Sequence, residues 1–520
     1  MLLFIKEVFS DDRLPAYISG DIMKRIDKSI FLVPFISILA LCALFIAFPE
    51  GSTSVLASIR AFTDHYLGSY YCLIGLGLFL VSIYMACSRY GNIRLGGDKP
   101  EYSNFKWGTM MFTTGLAADI VFYSFCEWML YAEDPYVASL GSIQDWASTY
   151  PLFHWGPIPW GFYLVLAVAF GFMLHVRNCR KQRYSEACRP ILGAKTDGPI
   201  GRIIDLIAVF ALVAGTATTF ALATPLLSMA VSKVLGIPDT ITLTIVLLLV
   251  TCLVYSLCTA MGIQAIAKLA GICTYLFFAL LAYVFIFGGE GLYIVETGIA
   301  AIGNLVQNFF GMATRTDPLR LTSFPQNWTF FYWAYWMVWC VAAPFFIGSI
   351  SRGRTVRQVI IGGYTFGIGG TFLSFTILGN YSLGLQMHGK LDLLADYAAS
   401  GSLYETIIEV IRTLPLSTVV LVLLALTLIA FYATSFDSLS TIAAVYSYKD
   451  LGADEEPGQK IRLLWAVLLI LLPIALIFSE NSMNNLQTVS MLAAIPVGFI
   501  MLLIVASFFK DADRYLKGDK

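Results

Sequence analysis

Charge is what this sequence has least of. Asp, Glu, Lys and Arg make up 13% of its 520 residues, against about 25% in soluble domains. The 33 basic and 34 acidic residues nearly cancel, leaving a net charge of −1, so nothing in the balance attracts nucleic acid. Only four histidines occur; they are unpaired in sequence, and neither an H-E-x-x-H nor a G-x-S-x-G motif is present, which argues against a membrane enzyme. Ten cysteines are present without a single C-x-x-C, and Cys42, Cys72, Cys126, Cys252, Cys258, Cys273 and Cys340 lie inside apolar runs. They read as small apolar side chains rather than as metal ligands. No cleavable leader is recognisable, because Lys6, Asp11, Asp12, Arg13, Lys24 and Arg25 precede the first apolar run, which is expected to remain as a span. Gly384–Lys390 imitates the start of a phosphate loop, but Leu391 stands where Ser or Thr is needed and no strand precedes it.

What fills the chain instead is hydrocarbon, with 58% of residues hydrophobic. Lipid offers the backbone no hydrogen bonds, so only helices and closed barrels cross it, and apolar runs of roughly 20 residues select helices. Such runs fall near 30–48, 68–88, 107–131, 150–176, 203–232, 239–261, 264–288, 326–350, 356–379, 413–446, 461–479 and 486–509. About twelve spans follow. Lys and Arg concentrate in alternate connections: Lys24–Lys28, Arg89–Lys106, Arg177–Arg202, Arg352–Arg357, Lys449–Arg462 and Lys510–Lys517. That alternation places both termini on the cytoplasmic side of a multi-pass cytoplasmic (inner) membrane protein. Residues 1–29 form a cytoplasmic segment, 30–510 a single transmembrane domain and 511–520 a short tail. Residues 290–313 are expected to form an outer amphipathic helix.

The spans near 107–131 and 326–350 hold most of the unusual residues, and each opens a block of five spans. Secondary transporters are often two inverted repeats whose first helices are interrupted at the midplane, where they build the substrate site. The expected fold is therefore all-α, with two extra N-terminal helices followed by a 5+5 inverted repeat of the LeuT type, over about 107–288 and 326–509. A channel would show a repeated filter or a charged ring, and neither is present.

In the second of these spans Trp333, Trp336 and Trp339 are three apart, so on a helix their directions spread over only about 120°. An interfacial aromatic belt would sit at a helix end, yet Trp336 lies roughly 15 Å into the span. Another cluster, His154-Trp-Gly-Pro-Ile-Pro-Trp160, carries two prolines that free carbonyls and bend the segment, and Trp160 shares a face with Tyr163. Ring faces are electronegative, and several around one point bind an alkylammonium that cannot donate hydrogen bonds, at about 0.5–2 kcal/mol per ring. Helix-to-helix packing is the alternative use of the same rings. Asp119, inside the third span, is an expensive residue to place in lipid and a functional candidate; so is Glu127.

These motifs resemble the betaine/carnitine/choline transporter family over essentially the whole chain. Trp328-Thr-Phe-Phe-Tyr-Trp-Ala-Tyr-Trp336 followed by Ser351-Arg-Gly-Arg-Thr355 is similar to its signature. His154–Trp160, Ala223–Leu226, Gly236–Pro238 and Leu414–Thr418 look most like the carnitine/butyrobetaine exchanger branch. The resemblance implies a transporter rather than an enzyme, bound to lipid, with no cofactor beyond a coupling ion, and it raises the homotrimer as an assembly. It places Trp155, Trp160, Tyr163 and Trp336 at cage positions, and Trp333, Tyr335 and Trp339 in or beside the pathway; the family motif has tryptophan where Tyr335 stands. Asp119 occupies a place where betaine carriers have glycine and choline-transporting members an aspartate. Exchangers carry an arginine where this chain has Thr274, with only Lys268 nearby, whereas Thr434 and Ser435 beside Phe431 resemble the sodium-binding pair of betaine symporters, with Thr113 and Leu116 as partner positions. Ion-coupled uptake of a trimethylammonium compound, choline favoured, is expected, driven by sodium or protons; carnitine-type exchange and betaine symport are the alternatives.

Overall fold

Long apolar runs leave the backbone no partner but itself, and the chain answers with helices almost throughout. The structure, a computed structural model, describes residues 26–115, 117–179, 181–261, 263–449, 451, 457–477 and 482–518. Among them are two isolated bridges and no strand. The helices used below are α1 (Lys28–Ala47), α2 (Pro49–Tyr66), α3 (Gly68–Cys87), α4 (Asn104–Thr114), α5 (Ala118–Ala132), α6 (Ile143–His154), α7 (Pro157–His175), α8 (Pro199–Leu235), α9 (Ile241–Met261), α10 (Ile263–Phe287), α11 (Gly291–Ala313), α12 (Phe330–Trp339), α13 (Ala343–Ser349), α14 (Val356–Met387), α15 (Leu393–Ser400), α16 (Leu403–Arg412), α17 (Ser417–Tyr446), α18 (Gln459–Ile477) and α19 (Ser482–Leu516).

Eight helices among the described residues are long and apolar enough to cross a membrane, and ten spans result if two bent pairs each count once. The protein is thus an all-α, multi-pass membrane protein. The difference from twelve lies in α9 and α18, apolar helices that occupy the remaining two runs but fall outside that count. The bent pairs are α4–α5, bent by 64°, and the α12–α13 pair, bent by 51°. Both lie in the two spans richest in polar and aromatic residues. Their causes are local: Gly115 follows α4, and Pro344 enters the first turn of α13, where its missing N–H is harmless to the new helix but cannot continue the old one.

Two connections hold the broken spans to each other. Leu95 donates its N–H to the Arg354 carbonyl and accepts from Gly353, both at 2.8 Å. The Arg354 guanidinium lies 3.9 Å from the centre of a Trp107 ring and donates to Asn104 Oδ1 and the Tyr102 carbonyl, each at 2.9 Å. The loop that leaves α13 is therefore clamped to the segment that enters α4.

Three details add to the sequence reading, the last in agreement with its rejection of a phosphate loop. Helix α19 continues to Leu516, so most of the expected tail is helix, fastened by Arg177 to Asp511 at 2.7 Å and by Arg89 to Asp513 at 2.6 Å. Helix α11 covers the stretch read as amphipathic, but its outward stripe of Leu292, Val295, Ile299, Ile302, Val306 and Phe310 is apolar. Its polar Asn304 turns inward and donates to Thr149 at 3.0 Å, as suits a helix bordered by hydrocarbon. Gly384 sits within α14, and the nearby His388 and Lys390 hold Glu290, at 2.9 and 2.7 Å, rather than a phosphate.

Helices α7 and α13 cross at Gly348, where a Cβ would meet the Ala167 carbonyl oxygen and the Gly171 nitrogen at 2.9 Å each. Both are backbone atoms, so neither can step aside. Gly303, within α11, has open space at the same position. Gly348→Leu is accordingly expected to destabilise by about 1–3 kcal/mol or more, and Gly303→Ala to stabilise by about 0.5–1 kcal/mol. Thermal unfolding of the two detergent-solubilised variants would show opposite shifts in Tm.

Candidate functional site

The turn between α6 and α7 and the first turn of α7 bring two indoles, Trp155 and Trp160, inward. Pro157 occupies the first position of α7, where its lack of an N–H leaves no helical bond broken. The Trp155 carbonyl, left without an α-helical partner, accepts the Thr371 hydroxyl of α14 at 2.8 Å. Two π-helical turns, Gly363–Gly367 and Phe375–Gly379, widen α14 on the side facing this segment, a distortion that recurs at functional sites. Gly367 shows why: a Cβ there would come within 2.3 Å of the Trp160 ring.

Around Trp336 of α12 the four rings Trp155, Trp160, Tyr163 and Trp336 converge. Trp336 lies 5.6 Å from Trp155, 6.1 Å from Trp160 and 4.9 Å from Tyr163, centre to centre, at interplanar angles of 67°, 58° and 58°. Trp160 and Tyr163 are themselves 5.7 Å apart and nearly perpendicular. All four are buried. Phe375 extends the wall, 5.2 Å from Trp155.

The other rings of the signature point elsewhere. Trp333 is fully buried against Phe153 and Phe162, at 5.3 and 6.4 Å, with its indole nitrogen facing Gly75 of α3. Trp339 is half-buried beside Gly215 of α8. Tyr335 turns to α5 and donates its hydroxyl to Oδ2 of Asp119 at 2.5 Å, while Thr219 of α8 touches the same hydroxyl. The three thus back the cage wall and do not join the four rings. The helical step explains the division, since each shift of three residues turns the side chain by about 60°.

Asp119 is buried in the first turn of α5, just beyond the break at 115–117. Its Oδ1 has no hydrogen-bond partner among the described residues, and neither of its oxygens meets a cationic side chain there. The break itself lies over the cage: a Cβ on Gly115 would stand 2.7 Å from Trp160. An ionisable group left half-satisfied beside aromatic faces suits a cationic guest.

The hydroxyl residues read as sodium ligands lie on helices that meet around α10. Phe112, next to Thr113, stacks on Phe278 at 5.3 Å, and Phe277 contacts Phe431 at 5.6 Å. Thr113 donates back to Thr109 and Met110 carbonyls at 3.1 Å each; Thr434 does the same to Ala430 at 3.1 Å and Phe431 at 3.0 Å. Each keeps lone pairs free to accept or to ligate. Ser435 is half-buried on the same helix, and Leu116 lies outside the described residues. Thr274, in the exchanger's arginine position, donates to the Ala270 carbonyl at 3.0 Å.

Two participants, Tyr123 and Tyr131, escaped the sequence reading, and His154 was read only as part of its motif. Tyr123 contacts both Trp155 and Tyr332, at 5.8 and 5.7 Å; Tyr131 binds Glu127 at 2.5 Å; His154 stacks on Tyr332 at 4.8 Å. The signal was present, because Asp119, Tyr123, Glu127 and Tyr131 recur at every fourth residue, which is one helical stripe.

With this geometry in place, comparison with known proteins identifies the family. A family model described as BCCT, betaine/carnitine/choline family transporter, matches residues 29–517. The chain belongs to that family. It is also similar to the uncharacterized transporter YeaV of Escherichia coli (strain K12), with 29% identity over 455 residues that cover 86% of this chain and 92% of the relative.

Removing the donor on Asp119 isolates a buried charge. Tyr335→Phe is expected to destabilise by about 1–3 kcal/mol, and Asp119→Asn in the same protein to recover most of it. A double-mutant cycle on thermal unfolding measures the coupling directly.

Proposed function

We propose that this member of the betaine/carnitine/choline family is a secondary active transporter of trimethylammonium compounds, with choline as its favoured cargo. The observation that carries the reading is the convergence of Trp155, Trp160 and Tyr163 on Trp336. A trimethylammonium group offers no hydrogen-bond donor, so ring faces recognise it better than polar side chains do. Its tail then decides among relatives. Choline carries a net positive charge that Asp119 balances, whereas the carboxylates of betaine and carnitine would meet Asp119 as like charges.

Trp336 stands in ring contact with Trp155, Trp160 and Tyr163. Cargo that comes to lie among them must part them, and because the rings belong to α7, α12 and the α6–α7 turn, parting them moves helices. Binding is thereby tied to rearrangement, which is what alternating access about two inverted repeats requires. The favoured driving force is an ion taken up with the cargo: sodium held by Thr113, Thr434 and Ser435, or, if Asp119 serves as a proton carrier instead of balancing the cargo's charge, a proton. Neutral hydroxyls suit sodium, a hard cation that takes oxygen ligands. Among the described residues no guanidinium pairs with Thr274, whose hydroxyl donates to the Ala270 carbonyl, which favours coupling over ion-independent exchange. The exchange reading draws on the His154–Trp160 segment and predicts flux without any ion gradient. Both termini are placed on the cytoplasmic side of the cell's inner membrane, as the distribution of Lys and Arg supports.

Reconstituted protein in liposomes tests this. Choline uptake is expected to be driven by an inward sodium or proton gradient and to fall at least roughly tenfold in Trp336→Ala, the loss anticipated for a principal cage ring. Asp119→Gly is expected to impair choline uptake most. Uptake unaffected by Asp119→Gly defeats the assigned charge balance, and equal flux under internal substrate alone defeats ion coupling.

A further inference from the structure

Glu127, fully buried in α5, has a different partner on each oxygen. Oε2 accepts the indole N–H of Trp155 at 2.7 Å, and Oε1 accepts the Tyr131 hydroxyl at 2.5 Å. The Tyr131 oxygen also lies 2.6 Å from Nδ1 of His154, whose Nε2 is 3.0 Å from the hydroxyl of Thr329. Among the described residues Trp155 is the one cage indole whose N–H is satisfied; those of Trp160 and Trp336 have no acceptor. An unbroken chain of hydrogen bonds thus runs from Thr329, two residues from the exposed Asn327, to the wall of the cage.

No Lys or Arg pairs with Glu127 among the described residues. The titratable groups facing it are Tyr123, Cys126 and Tyr131 on its own helix, His154 from α6 and Tyr332 from α12. Tyr404 of α16 reaches Tyr123 and Cys126. From α14 the neighbouring polar group is Ser382, occupied by the Trp128 indole at 2.6 Å; α8 and α17 bring Thr219 and Tyr432 to the Asp119 end.

Proton counting then permits two arrangements of the same heavy atoms. A phenol has one proton, so Tyr131 can donate to Glu127 or to His154 but not to both. In the first arrangement Glu127 is a carboxylate, Tyr131 donates to it, and His154 carries its proton on Nδ1, facing Tyr131. In the second, Glu127 is protonated and donates to Tyr131, Tyr131 donates to Nδ1, and His154 carries its proton on Nε2, facing Thr329. A proton arriving at Nε2 converts one into the other: the Nδ1 proton passes to the Tyr131 oxygen, and the Tyr131 proton passes to Oε1. One proton enters, the imidazole ends neutral, and the carboxylate loses its charge.

We infer that Glu127 is a proton-binding site, reached through His154 and Tyr131 and linked to the cage by the Trp155 indole, at which a bound proton and a cationic headgroup in the cage oppose each other. The inference rests on the trimethylammonium reading of the cage. As a carboxylate, Glu127 places negative charge behind Trp155 and draws on its N–H, which makes the ring face more attractive to a cation. Protonation removes both effects. Cation affinity therefore rises with pH through the titration of Glu127, and binding releases a proton, so Glu127 opposes uptake of a proton with the cargo and, of the two coupling ions proposed above, favours sodium.

The test measures radiolabelled choline binding to the purified full chain over a pH series, alongside infrared spectra of its protonated carboxyl groups. Wild-type affinity is expected to fall roughly tenfold as Glu127 gains its proton, the scale of one charge acting across a ring at an effective dielectric constant near 20. Glu127→Gln should bind with the weak, acid-form affinity at every pH and lack the titrating carboxyl band. In Asp119→Asn that band should persist, which separates it from Asp119, and in Glu127→Asp it should shift in frequency, which assigns it to Glu127 even if Glu127→Gln fails to fold. Tyr131→Phe should keep the carboxylate and slow the band's response to a pH jump. Wild-type pH dependence retained in Glu127→Gln, or no titrating band in Asp119→Asn, overturns the inference. Absence of choline binding by wild type at every pH overturns the cage reading instead.

Discussion

A carboxylate inside a membrane span has to be solvated by the protein, and that constraint organises the centre of this molecule. Asp119 and Glu127 lie on one helix, neither in contact with Lys or Arg among the described residues, and each takes the hydroxyl of a tyrosine at 2.5 Å. Each tyrosine in turn fixes something else. Tyr335 holds α12 to α5, next in sequence to Trp336; Tyr131 holds His154 at the end of α6, next to Trp155. The rings that form the cage are consequently neighbours of the residues that satisfy the acids. Charge and aromatic surface are parts of one arrangement, and moving either helix disturbs both.

The breaks in the two bent pairs serve the same arrangement. A continuous helix would carry Asp119 on a wall of backbone already satisfied along its length, whereas a break exposes polar groups where side chains converge. The clamp between Arg354 and Trp107 joins the end of one broken span to the start of the other. A shift in α12 and α13 is therefore transmitted to α4, which carries Thr113 at its end. Cargo at Trp336 and an ion near Thr113 and Thr434 would act on connected pieces of the same mechanism.

Much of this was legible in the residues. Hydropathy places the long apolar helices because lipid gives the backbone no alternative, though not the more polar α2, α15 and α16, and the odd composition of two spans marks where they break. Trp336 and Trp160 could be picked from their depth and their prolines. Spacing could not separate Trp336 from Trp333, since a helix of three-apart tryptophans has one face in sequence but several neighbours in space; Gly75 of α3, far away in the chain, decides that Trp333 packs. For Tyr335 the deciding partner is Asp119, more than two hundred positions away in the chain. Glu127 was a candidate without an assigned partner, and only the fold brings Trp155 and Tyr131 to it. The repeat at every fourth residue of α5 was readable and carried the answer, but periodicity alone does not distinguish a packed stripe from a wired one.

The account stands on recognition of fixed positive charge by ring faces. The most direct measurement compares choline with its neutral carbon isostere, in which a tert-butyl group replaces trimethylammonium at nearly the same shape, as competitors for radiolabelled choline on the purified protein. If the faces of Trp155, Trp160, Tyr163 and Trp336 bind charge, the isostere should compete on the order of a hundredfold more weakly, the sum of several ring contributions. Equal competition would mean that the cage recognises shape and apolar surface alone, and would contradict the account.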